Sequence, residues 1–142
     1  MLPRLFALLA ALAAAPALAD ASVVNGNLEM LCAAVPSLEL TPEAAQGFNV
    51  APAPDRAVLT VTLLKKNRAG QAEAVAGQVY AGAIDQNNHL FSIPIREVKD
   101  GDSVYYLGEF RVNTPNTMRF LVNANVLGKP LKAEFSRVFS AP

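Results

Sequence analysis

The sequence holds one cysteine, Cys32, and one histidine, His89, the residue types best suited to act as a nucleophile, a base or a soft-metal ligand. A mononuclear copper electron-transfer site takes two histidines and a cysteine, usually with a methionine. A catalytic zinc site takes several imidazoles, or two imidazoles and a carboxylate. One molecule of this chain cannot supply either set, and we expect no metal site and no cofactor.

Other chemistry would depend on the same two residues. A Ser-His-Asp triad would have to use His89, and no serine stands in a G-x-S-x-G setting. A Cys-His pair would require the fold to bring Cys32 to His89, which the sequence alone does not test. Met30, Cys32, Met118 and His89 could be combined into a soft-metal cluster, but core packing explains the two methionines and the cysteine better. His89 follows a Gln-Asn-Asn turn, so we interpret it as a solvated loop-end residue.

Asp100 and Asp102 form a pair of carboxylates on either side of Gly101, with Glu97 nearby. Aspartate and glycine are common turn formers, so a hairpin turn explains this pair. The D-G-D stretch lacks the remaining ligands and the closing glutamate of an EF-hand calcium loop. We therefore predict a non-catalytic protein, with a thiol-dependent enzyme or redox accessory protein as the less favoured alternative.

Turn-forming clusters recur at short intervals, and the segments between them are rich in Val, Ile, Phe, Tyr and Thr. This pattern is typical of a sandwich or barrel rather than of a βαβ fold. The sequence therefore predicts an all-β fold, a single immunoglobulin-like antiparallel β-sandwich of about seven strands. Alternating apolar residues place one face of each strand on a core. The predicted strands cover residues 28–35, 56–66, 72–84, 89–98, 103–112, 117–126 and 131–139.

One short helical turn is predicted near residues 42–47. Thr41 can cap it, Pro42 suits the first helical position, Glu43 suits the helix dipole and Gly47 can end it.

Proline and glycine residues interrupt several predicted strands. Pro94 lacks an N–H group, which favours an edge position or a bulge within the fourth strand. Gly77, Gly82 and Gly108 are predicted to mark bends or bulges.

Tyr105 and Tyr106 are adjacent in the fifth predicted strand, and neighbouring strand residues face opposite ways. If Tyr106 faces the core, Tyr105 is exposed, and Leu107 and Leu121 also lie on outward faces. We therefore predict Tyr105, Leu107 and Leu121 as a candidate interaction surface. The alternative is that the helical turn or the N-terminal segment covers these residues.

Residues 1–19 have the pattern of a secretory signal peptide. Arg4 is followed by an apolar stretch, then Pro16 and the small-x-small sequence Ala-Leu-Ala, which predicts cleavage after Ala19 and a periplasmic location. A retained membrane anchor is the alternative, but the stretch is short for a bilayer span. Residues 20–142 are predicted to form one domain, with no membrane span after cleavage.

The charge balance and the thiol limit the partners of the cleaved chain. The full chain has 12 basic and 12 acidic residues, so removal of Arg4 leaves 11 − 12 = −1. That charge does not favour nucleic acid, which we do not expect as a partner. A single thiol cannot close an intramolecular disulfide, so Cys32 is either buried or pairs between chains.

Three stretches together resemble the domain of unknown function 4426 family of exported proteobacterial proteins. The first is residues 40–45, leading into 56–61 and ending at 64–67. The second is residues 91–101, with the sequence FSIPIREVKDG, followed by 104–110, VYYLGEF. The third is residues 118–120 with the closing 135–139. The resemblance implies one β-sandwich domain after a signal peptide, and it implies no reaction. The resemblance would imply a polar, aromatic-rich first strand with a His and an Asn, and basic residues before the second strand. Here those regions read EMLCAA at 29–34 and APAP at 51–54, so a site built from such polar groups is not expected.

The expected function is therefore that of an exported binding or protein-interaction module whose partner is an envelope protein. An envelope chaperone or assembly factor is the alternative, and it differs mainly in having many clients. The sequence does not assign an oligomeric state.

Overall fold

The computed structural model of the protein describes residues 19–141, so the predicted signal peptide lies outside the described residues except for Ala19. The described part contains ten strands, a 3-10 turn at Ser37–Glu39 and one short helix. The strands are β1 (Ala21–Asn25), β2 (Leu28–Pro36), β3 (Arg56–Lys66), β4 (Ala72–Ala74), β5 (Gln78–Ile84), β6 (Leu90–Ile93), β7 (Arg96–Asp100), β8 (Ser103–Arg111), β9 (Asn116–Val126) and β10 (Lys129–Phe139), and the helix is α1 (Pro42–Gly47).

The strands form two antiparallel sheets that face each other. The six-stranded sheet has the order β1-β2-β3-β8-β7, with β4 paired to the end of β3. The four-stranded sheet has the order β10-β9-β5-β6. The prediction of an all-β antiparallel sandwich is confirmed. In the described residues, no helix is long and apolar enough to cross a membrane.

The main core lies between the two sheets and follows the period-two pattern of the strands. In β9, buried and solvent-facing residues alternate along almost the whole strand. Phe120 stacks on Phe135 with ring centroids 5.1 Å apart, and its edge-to-face contacts with Phe110 and Phe139 complete an aromatic cluster. Because every second side chain points inward, the apolar alternation of the sequence was sufficient to predict this core.

The strand count is ten rather than seven, for three local reasons. The segment at 21–25 pairs with β2 as an extra edge strand. The predicted third strand is interrupted before Gly77, where an added Cβ would lie 2.7 Å from the Asn125 carbonyl oxygen. The predicted fourth strand divides at Pro94, and its two halves join different sheets.

Gly82 and Gly108 lie within continuous ladders, so the prediction of a bend or bulge at these two positions is wrong. At Gly108, a glycine is required by the close approach of a neighbouring segment. A Cβ there would lie 2.4 Å from Ile93 Cγ2 and 3.1 Å from the Pro94 carbonyl oxygen. The crossover from β6 to β7 therefore passes directly over Gly108, and only a residue without a side chain allows that approach.

Candidate functional site

The predicted surface of Tyr105, Leu107 and Leu121 does not exist as one exposed patch. Tyr105 and Leu107 are buried, with 3% and 0% of their surfaces exposed. Leu121 is half-buried and lies on β9 of the other sheet. The prediction that Tyr105 and Leu107 are exposed is wrong, and the alternative of a covering helical turn is correct.

The cover over the six-stranded sheet is the segment around α1. Its buried residues pack on Val58, Tyr105 and Leu107 to form a second, smaller core. The helix begins as predicted, because the Thr41 Oγ1 accepts a hydrogen bond of 3.1 Å from the Ala44 N–H and Pro42 occupies the first turn. The covering residues are Leu40, Ala44, Ala45, Phe48 and Val50.

Two contacts hold this cover at its far end. The rings of Phe48 and Tyr105 meet edge to face with centroids 6.2 Å apart. Arg96 on β7 donates a hydrogen bond from Nη2 to the Phe48 carbonyl oxygen, and the same nitrogen lies 3.5 Å from Glu109 Oε2. The guanidinium therefore joins the last carbonyls of the helical segment to the sheet below.

Cys32 lies in the main core with Met30 and Met118, all at most 1% exposed. Burial, and to a smaller extent the charge of Asp20, raises the pKa of the Cys32 thiol to about 12. Since the thiolate is the nucleophile and the metal-binding form, this thiol is inert at neutral pH. The interpretation of Cys32 as buried, and of the two methionines as core residues, is confirmed.

His89 lies in the hairpin between β5 and β6, with 77% of its side chain exposed. Its ring Nδ1 lies 3.4 Å from Asp85 Oδ2, and its backbone N–H donates a hydrogen bond of 2.9 Å to Asp85 Oδ1. This backbone hydrogen bond is the main cause that lowers the pKa of the Asp85 carboxyl group. The loop-end interpretation of His89 is confirmed. Within residues 19–141, no three His, Cys, Asp or Glu residues are grouped so as to hold a metal ion.

The charged residues at the β7 edge contact other residues of the same sheet. The Tyr106 hydroxyl donates to Glu97 Oε2 and accepts from the Gly77 N–H, both at 3.0 Å. Burial raises the pKa of Tyr106, with the Gly77 hydrogen bond acting in the opposite direction. Lys99 Nζ lies 3.5 Å from Glu97 Oε1. The D-G-D stretch forms the tight hairpin from β7 to β8, with Gly101 at a φ of 62°, as the turn interpretation predicted.

A group of exposed and half-buried apolar side chains lies on the outer face of the four-stranded sheet. Val79, Ala81 and Ala83 of β5 contribute to the core, so the alternate residues of β5 face outward. Two of the largest exposed apolar side chains in the described residues lie on this face, Tyr80 at 66% and Leu90 at 72%. We call Tyr80, Ile84, Leu90 and Leu121, together with the Gly82 that lies among them, the outer apolar patch.

Register places Gly82 between Leu121 on β9 and the polar Ser92 on β6, with Leu90 next to Ser92 on the same face. Leu121 is opposite Gly82 on β9, and Leu90 is opposite Ile84 on β6. The Leu90 Cδ1 lies 4.0 Å from the position that a Cβ on Gly82 would occupy. The missing side chain therefore leaves a small hollow bordered by Leu121, Leu90 and Ser92. Polar residues border it, including Arg119, whose Nε lies 3.4 Å from Glu134 Oε2.

Leu121 is the one residue of the predicted surface that belongs to this patch. Tyr80 and Ile84 were missed because both faces of β5 carry small or apolar residues, so its alternation does not identify the outer face. The sequence signal for this patch was the spacing of Tyr80, Gly82 and Ile84. These residues lie on one face of the strand, so two large side chains flank a position that has none.

A second concave feature lies at one end of the sandwich. This cleft of about 290 Å³ is lined by the 3-10 turn, the start of β3 and the chain after β10. Leu38 and Val138 are exposed at its sides. Its Arg137 is already engaged, since it donates a hydrogen bond of 2.7 Å to the Ala34 carbonyl oxygen and lies 3.5 Å from Asp20.

Comparison with known families gives one match that spans nearly the whole described chain. The model of the family described as "Domain of unknown function (DUF4426)" matches residues 22–140. The chain belongs to the DUF4426 family. The resemblance expected from the sequence is thereby confirmed. No curated protein matches the sequence of the chain.

Solved structures share the fold of this DUF4426 protein. A DUF4426 family protein from Pseudomonas aeruginosa PAO1 has a TM-score of 0.69 and 19% identity, covering 86% of this chain and 95% of that chain. FetP from uropathogenic Escherichia coli, expressed recombinantly in the periplasm, has a TM-score of 0.61 and 9% identity, covering 87% and 95%. A copper-bound variant of FetP has a TM-score of 0.54 and 9% identity, covering 87% and 92%. At these identities the likeness shows a shared fold alone.

Proposed function

We propose that this DUF4426 protein is an exported, non-catalytic protein-interaction module that binds an envelope protein through its outer apolar patch. The observation that carries the proposal is the hollow at Gly82, bordered by Leu90, Leu121 and Ser92 and flanked by the exposed Tyr80. Export is supported by the sequence pattern of residues 1–19.

The composition of the patch suits a protein partner. Tyrosine gives a large contact area at a low cost in side-chain entropy and keeps a hydroxyl for a polar contact. Hot spots in interfaces are typically an apolar anchor in a small pocket with a polar rim. The hollow at Gly82 provides the pocket, and Arg119, Glu134 and Asn123 provide the rim. The partner expected by this chemistry presents one apolar side chain surrounded by polar groups.

Two further observations favour binding over catalysis. Cys32 is buried with a pKa raised to about 12, so it is a poor nucleophile. His89 is exposed in the β5–β6 hairpin, whereas Cys32 is enclosed in the core, so the structure gives the Cys-His alternative no support. FetP has a copper-bound form, but we propose no copper site here, since Met30, Cys32 and Met118 are all enclosed in the main core.

Site-specific crosslinking in the native host tests the proposal. A photoreactive amino acid replaces Tyr80 in one variant and Ser22 in a control variant. Ser22 is exposed on β1 of the other sheet. We expect one discrete adduct from position 80 and none from position 22. Leu121→Asp in the Tyr80 variant should remove the adduct, because it places a charge beside the hollow.

The outcomes separate the candidate functions. A ladder of many adducts from position 80 would favour the envelope chaperone and overturn the single-partner proposal. Equal adducts from both positions, or none from position 80, would reject the patch as a binding face. The circular dichroism and thermal midpoint of each variant must match those of the parent chain, so that a lost adduct reports lost contact.

A further inference from the structure

The four-stranded sheet ends on β6, and among residues 19–141 no further strand pairs with its outer side. The strand reads Leu-Phe-Ser-Ile and carries no charge. Its Leu90 is 72% exposed and belongs to the outer apolar patch. An uncharged edge strand with unpaired backbone groups is a template for another strand.

The other sheet edges in residues 19–141 are protected. β1 and β10 lie against each other, and the Asn25 side chain donates a hydrogen bond of 2.7 Å to the Pro130 carbonyl oxygen. β7 carries Arg96, Glu97 and Lys99 within five residues. β4 is three residues long and carries a glutamate. Natural sheets usually protect an edge strand by charged side chains, by a short length or by a covering element. Of these three protections, β6 has only the short length.

The hydrogen bonds of the β5–β6 hairpin show which backbone groups of β6 are free. The Asp85 backbone N–H donates a hydrogen bond of 3.0 Å to the His89 carbonyl oxygen. Because hydrogen-bonded and non-hydrogen-bonded pairs alternate along an antiparallel ladder, the next bonded pair is Ala83 with Phe91. The N–H and C=O groups of Leu90 and Ser92 therefore point to the open edge.

We propose that two copies of this chain pair antiparallel through β6 about a two-fold axis, with Leu90 of each copy opposite Ser92 of the other. Residues directly opposite must share a sheet face, and Leu90 and Ser92 both face outward while Phe91 faces the core. This register lets the free groups of Leu90 and Ser92 bond to each other in both directions. It also sets Phe91 opposite Phe91.

Self-complementarity favours a second copy over an unrelated strand. A two-fold contact uses the same surface on both subunits, and this register satisfies that requirement with backbone groups alone. The strand has no charge to repel its copy, and the chain without residues 1–19 has 11 basic and 12 acidic residues, so its net charge is small. The pairing goes beyond the proposed function, because it uses the edge of the sheet. It leaves both outer apolar patches open on one continuous sheet.

Sedimentation velocity from micromolar to millimolar protein tests the inference. The parent chain should show a reversible, concentration-dependent dimer. Ser92→Pro removes an edge N–H that the sheet itself does not use, and Ser92→Lys adds a charge to the edge. We expect either change to weaken the dimer about tenfold or more. The matched control is Ser22→Lys on β1, which should leave the dimer unchanged.

Disulfide trapping tests the register. Leu90→Cys and Ser92→Cys variants are oxidised separately and as a mixture. Directly opposite residues lie within disulfide range, so the mixture should form crosslinked heterodimers faster than either variant alone forms homodimers. The buried Cys32 does not compete, because its thiolate is scarce at neutral pH. Equal rates in all three samples would reject this register.

A parent chain that stays monomeric at every concentration, or a dimer that survives both Ser92 changes, overturns the inference. A monomer that still gives the Tyr80 adduct in cells would leave the proposed function intact and the edge open to an extended segment of another protein. A dimer without that adduct would reject the proposed function alone.

Discussion

Burial of the Cys32 thiol should make the stability of this protein fall steeply at alkaline pH. Burial raises the pKa of this thiol from an ordinary value of 9.0 to about 12. A group whose pKa is higher in the folded state contributes stability that is complete below its unfolded pKa. That stability is lost as pH rises, because the unfolded chain then releases its proton first. The relevant window is therefore pH 9 to 12.

The size of the effect follows from the same values. Each pH unit in the window changes the free energy of unfolding by about 1.4 kcal/mol for one proton. The loss from Cys32 across the window is therefore about 4 kcal/mol, a large part of the stability of a small domain. Lysines and tyrosines also titrate in this range, so the parent chain alone cannot isolate the thiol.

Cys32→Ala supplies the comparison. It removes the titrating group at a pH-independent cost of about 1 kcal/mol for the lost sulfur. Urea unfolding should be measured for both chains at several pH values between 8 and 11. With each pH unit, the variant should gain up to about 1.4 kcal/mol of unfolding free energy relative to the parent chain. Parallel pH profiles for the two chains would refute the account of a buried, protonated thiol.

Two other substitutions test how the sandwich is assembled. Gly108→Ala should destabilise the domain by about 1–3 kcal/mol, since its Cβ would lie 2.4 Å from Ile93 Cγ2 beneath the crossover. Gly82→Ala is the matched control, with its nearest contact at 3.3 Å, and equal losses in urea unfolding would contradict the packing. Leu107→Ala should cost about 2–5 kcal/mol, because the α1 segment buries this side chain completely. Leu90→Ala, at an exposed position, should change unfolding by less than about 0.5 kcal/mol, and a similar small effect at Leu107 would mean that the cover is open.

Local chemistry was enough to predict much of the fold. Alternation in segments such as β9 predicts which residues face a core, since side chains alternate across any strand. The Thr41-Pro42 start of α1 was predictable because an N-cap depends on the residues next to it. The burial of Cys32 followed from its place on an apolar strand face.

What the sequence could not decide depends on contacts between distant segments. Period-two alternation places Tyr105 and Leu107 on one face, but it does not reveal that Phe48 and its neighbours cover that face. Pro94 signals an interruption, but only packing shows that the chain changes sheets there and crosses Gly108. The outer apolar patch also required the structure, because β5, β6 and β9 meet through pairings of residues up to 47 positions apart, as in Gln78 with Asn125. Strand periodicity is encoded locally, whereas cover, sheet order and exposed surface are set by which elements pack together.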